Sequence, residues 1–144
     1  MILKNGDLYK MKIYSRIKSD LLLHMVNRAK DVDYKRNDIS PDSEFLQVST
    51  FKMKKGTTFR PHQHIENIRT TTITQESWIV IKGKVKALLY DIDGTLVEEV
   101  VLEPGDCSIT FRGGHNYESM EEDSLVYEYK TGPYFGQEKD KVFI

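Results

Sequence analysis

The sequence predicts an all-β domain preceded by one short helix. From residue 45 onward, short runs rich in Val, Ile, Thr, Tyr and Phe are separated by Gly, Pro and Asp at intervals of roughly eight to twelve residues, as in sandwiches and barrels. Asp93-Gly94 lies between two such runs and can supply the positive φ of a tight hairpin turn. The predicted strands cover residues 45–53, 57–64, 75–82, 85–90, 95–102, 106–111, 116–120 and 124–130.

The first 44 residues have a different pattern and form a predicted N-terminal extension. They are charged and mixed in period, with one helix-like piece at residues 19–29 for which Ser19 or Asp20 can serve as the N-cap. We expect residues 1–44 to pack on a barrel formed by residues 45–144 or on a dimer partner. A chain of 144 residues fits one domain, and its core is large enough to stand without a structural metal.

Composition excludes several classes of function. Lys and Arg total 21 against 22 Asp and Glu, so the chain lacks the basic excess of a nucleic-acid-binding protein. The single Cys107 cannot form an intramolecular disulfide. The first residues have no long apolar run or small-residue cleavage site, and no apolar stretch is long enough to span a bilayer. We therefore expect a cytoplasmic protein with neither nucleic acid nor membrane as a partner.

Three histidines within the β region predict a metal site. His62 and His64 are two residues apart, so on a strand both side chains lie on one face and can share an ion. Imidazole suits Zn, Fe, Mn and Ni, and a carboxylate and a third imidazole, from Glu76 and His115, can complete the site. A one-residue change of register would turn Gln75 inward instead of Glu76, and the sequence leaves this choice open.

These residues resemble the motifs of the cupin superfamily. The first motif is matched by Gly56, the His62-Gln63-His64 triplet, Glu76 and Gly83, and the second by residues 105–115. Within the superfamily the chain is most similar to the small WbuC-type cupins of bacterial O-antigen and capsule biosynthesis. That similarity is carried by residues 61–64, 78–83, 90–94 and 128–134. The resemblance implies a double-stranded β-helix, or jelly-roll barrel, that binds a divalent transition metal ion.

The leading functional hypothesis is a metal-dependent enzyme that acts on a sugar or nucleotide-sugar intermediate of surface polysaccharide biosynthesis. A metal ion that polarises a carbonyl supports isomerisation or epimerisation, for which a base is required. The candidate bases are Tyr117 and Glu128. The candidate substrate-binding residues are the three guanidinium groups that flank the metal motifs and one aromatic side chain: Arg60, Arg69, Arg112 and Trp78. We expect the segment of residues 65–74, which contains Arg69, to lie over the mouth of the barrel.

Two alternatives remain open at this stage. His and Glu ligands with open positions also suit an Fe(II) dioxygenase. A non-catalytic sugar-binding or regulatory cupin would need no base and no metal, so the sequence leaves open whether the protein is an enzyme. Small barrels pair readily through strand edges, and we expect a homodimer.

Overall fold

The structure is a computed structural model and describes residues 10–144. Ten strands form within this range, together with a short 3₁₀ turn at Ala29–Asp31 and one short helix, α1 (Gln137–Asp140). The strands are β1 (Lys10–Tyr14), β2 (Leu22–Asn27), β3 (Asn37–Asp38), β4 (Ser49–Thr50), β5 (Glu76–Lys82), β6 (Val85–Tyr90), β7 (Leu96–Leu102), β8 (Cys107–Thr110), β9 (His115–Ser119) and β10 (Leu125–Lys130).

The strands form two main sheets that pack face to face. One sheet has five strands in the order β1-β2-β8-β5-β10, and the other has three in the order β7-β6-β9. All paired strands are antiparallel, and β3 and β4 form a separate small ladder. A core shared by both sheets includes Leu23, Val80, Leu89 and Leu102. Within residues 10–144 neither sheet closes on itself.

The predicted all-β class is confirmed. The last six predicted strands correspond to β5 through β10, with ends that differ by at most one residue. The predicted hairpin turn also forms: Gly94 adopts φ +85° and donates its backbone N–H to the Asp91 carbonyl oxygen. Alternation and turn chemistry were sufficient for most of these strands because they have distinct inner and outer faces. β8 is buried at every position and was identified by the turn residues that bound it.

The predicted helix over residues 19–29 is wrong. Residues Leu22–Asn27 form β2, and Ser19 and Asp20 lie in the turn that precedes it. This strand lies between β1 and β8 and is buried on both faces, so its sequence is apolar without a period of two. A short apolar run of this kind cannot be distinguished from a buried helix by periodicity. β1 and β2, from the predicted N-terminal extension, are therefore part of the five-stranded sheet.

The two predicted strands between residues 45 and 64 form only in small part. Ser49–Thr50 is the one strand there, and residues 51–75 have no helix or strand. Almost all side chains of this segment are exposed, so no packing stabilises an extended pairing, and Pro61 has no N–H to donate to a ladder. We call residues 51–75 the long loop.

A second apolar cluster lies on the outer face of the five-stranded sheet. Met25, Cys107, Ile109 and Phe111 are covered there by side chains of residues 39–48. Ile79 of β5 also packs against this cluster, whereas Tyr127 and Tyr129 of β10 are exposed. No helix among the described residues has both the length and the apolar character needed to cross a membrane.

Candidate functional site

Two rows of side chains, most of them polar, run across the inner face of the five-stranded sheet. Residues paired across neighbouring strands share a face, so the strand registers define the rows. The first row contains His24, Thr110, Glu76 and Lys130. The second contains Val26, Ser108, Trp78 and Glu128. The inner face is therefore polar at one end, whereas Val80, two residues further along β5, belongs to the apolar core.

Glu76 and His115 meet across the two sheets at this polar end. His115 Nε2 lies 3.0 Å from Glu76 Oε1, and Trp78 donates from Nε1 to the same oxygen at 2.7 Å. Burial disfavours the charged form of Glu76, but the hydrogen bond and charge of His115 and the bond from Trp78 outweigh it and lower the pKa. Within the described part of the chain, the buried Nδ1 of His115 has no hydrogen-bond partner. Glu76 is thus an ionised carboxylate beside an imidazole with one free nitrogen.

An aromatic pair lies next to this contact. The rings of Trp78 and Tyr117 are stacked, with centroids 4.0 Å apart and planes inclined by 10°. The Tyr117 hydroxyl is hydrogen-bonded to Ser108 Oγ at 2.7 Å. Burial raises the pKa of Tyr117, with Glu76 and Glu128 adding to the increase. The phenolate is therefore strongly disfavoured, and these contacts suit Tyr117 to positioning Trp78 rather than to accepting a proton.

Glu128 and Lys130 extend the two rows onto β10. Glu128 is opposite Trp78, and Lys130 is opposite Glu76. Lys130 Nζ lies 3.5 Å from Glu128 Oε1 and 4.4 Å from the centre of the Tyr134 ring. Neither Glu128 nor Lys130 is fully buried. Of the two predicted bases, Glu128 is therefore more accessible than Tyr117. Lys130 was not among the predicted site residues, although its alternation with Glu128 in a predicted strand places it on the same face.

The choice between Gln75 and Glu76 is decided by their contacts. The Gln75 amide is fully buried away from the Glu76–His115 contact; it donates to Glu44 Oε2 at 2.6 Å and accepts from the Leu46 N–H at 2.8 Å. Arg112 Nη1 lies 2.8 Å from the other oxygen of Glu44. Glu44 therefore connects the ends of β5 and β8 to the segment that covers the outer cluster. Arg112, a predicted substrate-binding residue, is engaged in this ion pair.

The other predicted ligands lie on the long loop. His62 and His64 are exposed, with ring centroids 5.6 Å apart, and His62 Nδ1 donates to the Arg60 carbonyl oxygen at 3.0 Å. Arg60 and Arg69 are exposed on the same loop. Among residues 10–144, no three His, Cys, Asp or Glu side chains lie close enough together to hold one ion. The structure thus brings Glu76 and His115 together and leaves His62 and His64 apart from them.

His24 is a buried histidine that was not among the predicted site residues. It is fully buried, and Nε2 donates to the Tyr90 carbonyl oxygen at 2.9 Å while Nδ1 accepts from the Thr110 hydroxyl at 3.0 Å. Burial lowers the pKa of His24 to about 4. Both nitrogens are satisfied in the neutral ring, so His24 is a structural member of the first row. His24 occupies this position because β2 is a strand, and the incorrect helix prediction for residues 19–29 gave no indication of it.

One comparison with known proteins gives a match. The chain matches a family described as a domain of unknown function, DUF6016, over residues 17–102. This range covers β2 through β7 and includes the long loop and Glu76, whereas His115 and Glu128 lie beyond it. No curated protein and no solved structure matches the chain. Because the family match covers more than half of the 144 residues, the chain belongs to the DUF6016 family.

Proposed function

We propose that this chain is a cupin-type, metal-dependent protein that acts on a sugar-derived small molecule, with isomerase or epimerase chemistry. The observation that carries the proposal is the Glu76–His115 contact, which joins the two facing sheets at their polar end. In this proposal the sheets are the two halves of a jelly roll. Within residues 10–144 β9 pairs with β6 alone, and the long loop would close the side next to its other edge.

The donor atoms present fit half of a metal site. Glu76 Oε1 and His115 Nε2 are 3.0 Å apart, and two donors that share one ion at about 2.1 Å lie roughly 3.0–3.4 Å apart. The lowered pKa of Glu76 keeps its carboxylate ionised, as a ligand must be. His62 and His64 would supply the other two donors from the long loop, which is exposed and bears few contacts that oppose its movement. The donor set of imidazole nitrogens and one carboxylate suits Zn, Fe, Mn or Ni.

The surrounding side chains supply the other requirements of sugar chemistry. The Trp78 ring, held by Tyr117, offers a flat apolar surface of the kind on which a sugar ring can pack. Glu128 lies opposite Trp78 on the neighbouring strand and can take or return a proton. Lys130, beside Glu128, can hold an anionic group or an alkoxide. A divalent ion at Glu76 and His115 would supply Lewis-acid polarisation of a sugar carbonyl or hydroxyl oxygen.

Calorimetric titration with Zn²⁺, Mn²⁺ and Ni²⁺, and with Fe²⁺ under anaerobic conditions, tests the metal site. We expect one ion per chain, and we expect Glu76→Gln or the pair His62→Ala with His64→Ala to weaken binding by roughly 100-fold or more. Glu66→Gln removes an exposed carboxylate from the same loop and should leave affinity unchanged. Thermal unfolding should show that the variants remain folded. Full metal affinity in the double histidine variant would refute the four-residue site.

Incubation of the metal-loaded protein with nucleotide-sugars tests the reaction. Conversion to an isomer or epimer without oxygen consumption is the expected result, and Glu128→Gln should abolish it while leaving metal affinity unchanged. Oxygen consumption would instead identify a dioxygenase. Saturable binding of a sugar without turnover would identify a binding module and remove the enzymatic part of the proposal.

A further inference from the structure

β10 is an edge strand with an open side. It is paired with β5 alone, and among the described residues no strand lies along its other edge. The strand contains neither Pro nor Gly, and its one irregularity of register lies at its start, between Leu125 and Val126. Residues 126–130 therefore present a regular row of backbone N–H and C=O groups, which is a template for another strand.

The outer face of this edge is apolar. Tyr127 and Tyr129 are 54% and 56% exposed, and Ile81 on the neighbouring β5 is 44% exposed. The inner face of the same strand carries charges instead, since Glu128 and Lys130 alternate with the tyrosines. An exposed apolar patch beside an unpaired edge is a feature of protein–protein interfaces.

One backbone hydrogen bond fixes which groups of β10 point outward. The Thr131 N–H donates to the Gln75 carbonyl oxygen at 3.0 Å, so Thr131 and Gln75 form a hydrogen-bonded antiparallel pair. Such pairs recur at every second residue, and the backbone groups of Tyr127 and Tyr129 therefore also point toward β5. The groups of Val126, Glu128 and Lys130 point toward the open edge. A strand added there must form its hydrogen-bonded pairs with these even-numbered residues.

Charge selects one register for a second copy of the same strand. Antiparallel self-pairing through the even-numbered residues can be centred on Tyr127, Glu128 or Tyr129. A centre at Glu128 places the two Glu128 side chains directly opposite each other, which is destabilising. A centre at Tyr127 pairs each Glu128 with Val126. A centre at Tyr129 pairs each Glu128 with Lys130 of the other copy and so forms two opposite-charge pairs.

We propose that β10 is a homodimer interface in which two copies pair antiparallel about Tyr129, joining their five-stranded sheets into one of ten strands. The occupant of the open edge is a second copy because the strand is charge-complementary to itself in a register that its hydrogen-bonding groups permit. This proposal does not depend on the metal site, and its tests measure association rather than turnover because Glu128 and Lys130 also have roles in the proposed reaction.

Charge reversal tests the pairing in the full chain. Sedimentation equilibrium should give a dimer for the wild type, and Glu128→Lys or Lys130→Glu should each raise the dissociation constant by about tenfold or more, since each converts two attractive pairs into two repulsive ones. The double variant with both reversals restores opposite charges and should restore the dimer. Glu118→Lys reverses an exposed charge on β9 and should leave the dissociation constant unchanged.

Cysteine cross-linking tests the register. Across the two-fold axis the Tyr129 positions form a non-hydrogen-bonded pair with Cα atoms about 4.5 Å apart, within the range of a disulfide. Tyr129→Cys should therefore cross-link under mild oxidation. Tyr127→Cys is a control of similar exposure on the same strand and should not cross-link, because its two copies would be about 13 Å apart. The native Cys107 is buried, and burial raises its pKa to about 11, so it should not contribute.

The outcomes are distinct. A wild-type monomer at about 100 μM, above the micromolar dissociation constants of weak specific interfaces, would overturn the proposal. Slow amide exchange at Glu128 and Lys130 in that monomer would show that the chain itself covers the edge. A dimer that cross-links through position 127 but not 129 would overturn the register. A dimer unaffected by both single charge reversals would place the interface elsewhere.

Discussion

The paired strands and the long loop each provide half of the proposed metal site, and the two halves differ in how they are held. Glu76 and His115 lie on β5 and β9, and strand pairing, the Trp78 hydrogen bond and the core beneath fix their positions. His62 and His64 lie on exposed residues with few contacts to the rest of the chain. The half on the strands is preorganised, whereas His62 and His64 must move toward Glu76 and His115 before all four residues can hold one ion.

The difference in burial predicts the largest contrast in stability. Leu102 on β7 is fully buried in the core between the sheets, whereas Ile68 in the long loop is 95% exposed. Leu102→Ala removes buried methyl groups and leaves a cavity, so we expect the free energy of unfolding to fall by about 2–5 kcal/mol. Ile68→Ala should change it by less than about 0.5 kcal/mol. Urea denaturation measures both, and a loss above about 1 kcal/mol for Ile68→Ala would mean that the loop is packed in solution.

A histidine from each region gives a contrast in pH dependence. The pKa of His24 in the folded protein is about 4, below its ordinary value of 6.5. Between these values the unfolded state binds a proton that the folded state does not, so stability is fully present above about pH 6.5 and falls as pH decreases toward 4. The expected loss is about 1.4 kcal/mol per pH unit, or roughly 3 kcal/mol in total. Asp91 and His115 act on His24 in opposite directions within this balance.

Substitution isolates the contribution of His24. His24→Gln should be less stable than the wild type at pH 8, and its unfolding free energy should change less between pH 6.5 and 4. His62→Gln removes an exposed histidine from the long loop and should preserve the wild-type slope. Urea titrations at several pH values measure these slopes. A wild-type slope in His24→Gln would show that other groups cause the acid sensitivity.

The difference between the paired strands and the long loop also predicts different effects of substituting two of the predicted substrate-binding arginines. Arg112 forms an ion pair with the largely buried Glu44, whereas Arg69 is exposed in the long loop. Arg112→Ala leaves Glu44 with Gln75 as its remaining side-chain partner, and we expect a loss of about 1–2 kcal/mol in unfolding free energy. Arg69→Ala should leave stability unchanged and weaken the binding of an anionic sugar. Equal stability of the two variants would show that the Glu44 ion pair contributes little and that Arg112 is free to bind substrate.

The sequence predicts β5 through β10 well because most of them have one apolar face and all are bounded by turn residues; β8, buried at every position, depended on its bounding turns. The hairpin about Gly94 and the alternation of Glu76 with Trp78 both follow from these local rules. β2 was missed because burial on both faces removes the period of two. The predicted strand at residues 57–64 failed for the opposite reason: its β-forming residues have no partner surface in the described structure.

Part of the candidate site could likewise be predicted from the sequence. Glu76 and His115 were identified from residue type and spacing, and the structure brings them together. Sequence patterns did not identify Glu44, His24 or Ser108, because their roles depend on strand order and on contacts between residues distant in sequence. Sequence periodicity indicates which face a residue occupies, but only the strand order indicates which residues share that face.

The smallest expected effect concerns Tyr117, a predicted base that the structure uses to support Trp78. Tyr117→Phe keeps the stacked ring and loses the hydrogen bond to Ser108 Oγ, so we expect a loss of about 0.5–1.5 kcal/mol in unfolding free energy. Because burial raises the pKa of Tyr117, its hydroxyl remains protonated and the variant should keep its metal affinity and most of its turnover. Tyr127→Phe, on the exposed face of β10, is the matched control and should change neither stability nor turnover. Loss of turnover in Tyr117→Phe with metal retained would assign proton transfer to Tyr117 and remove Glu128 as the base.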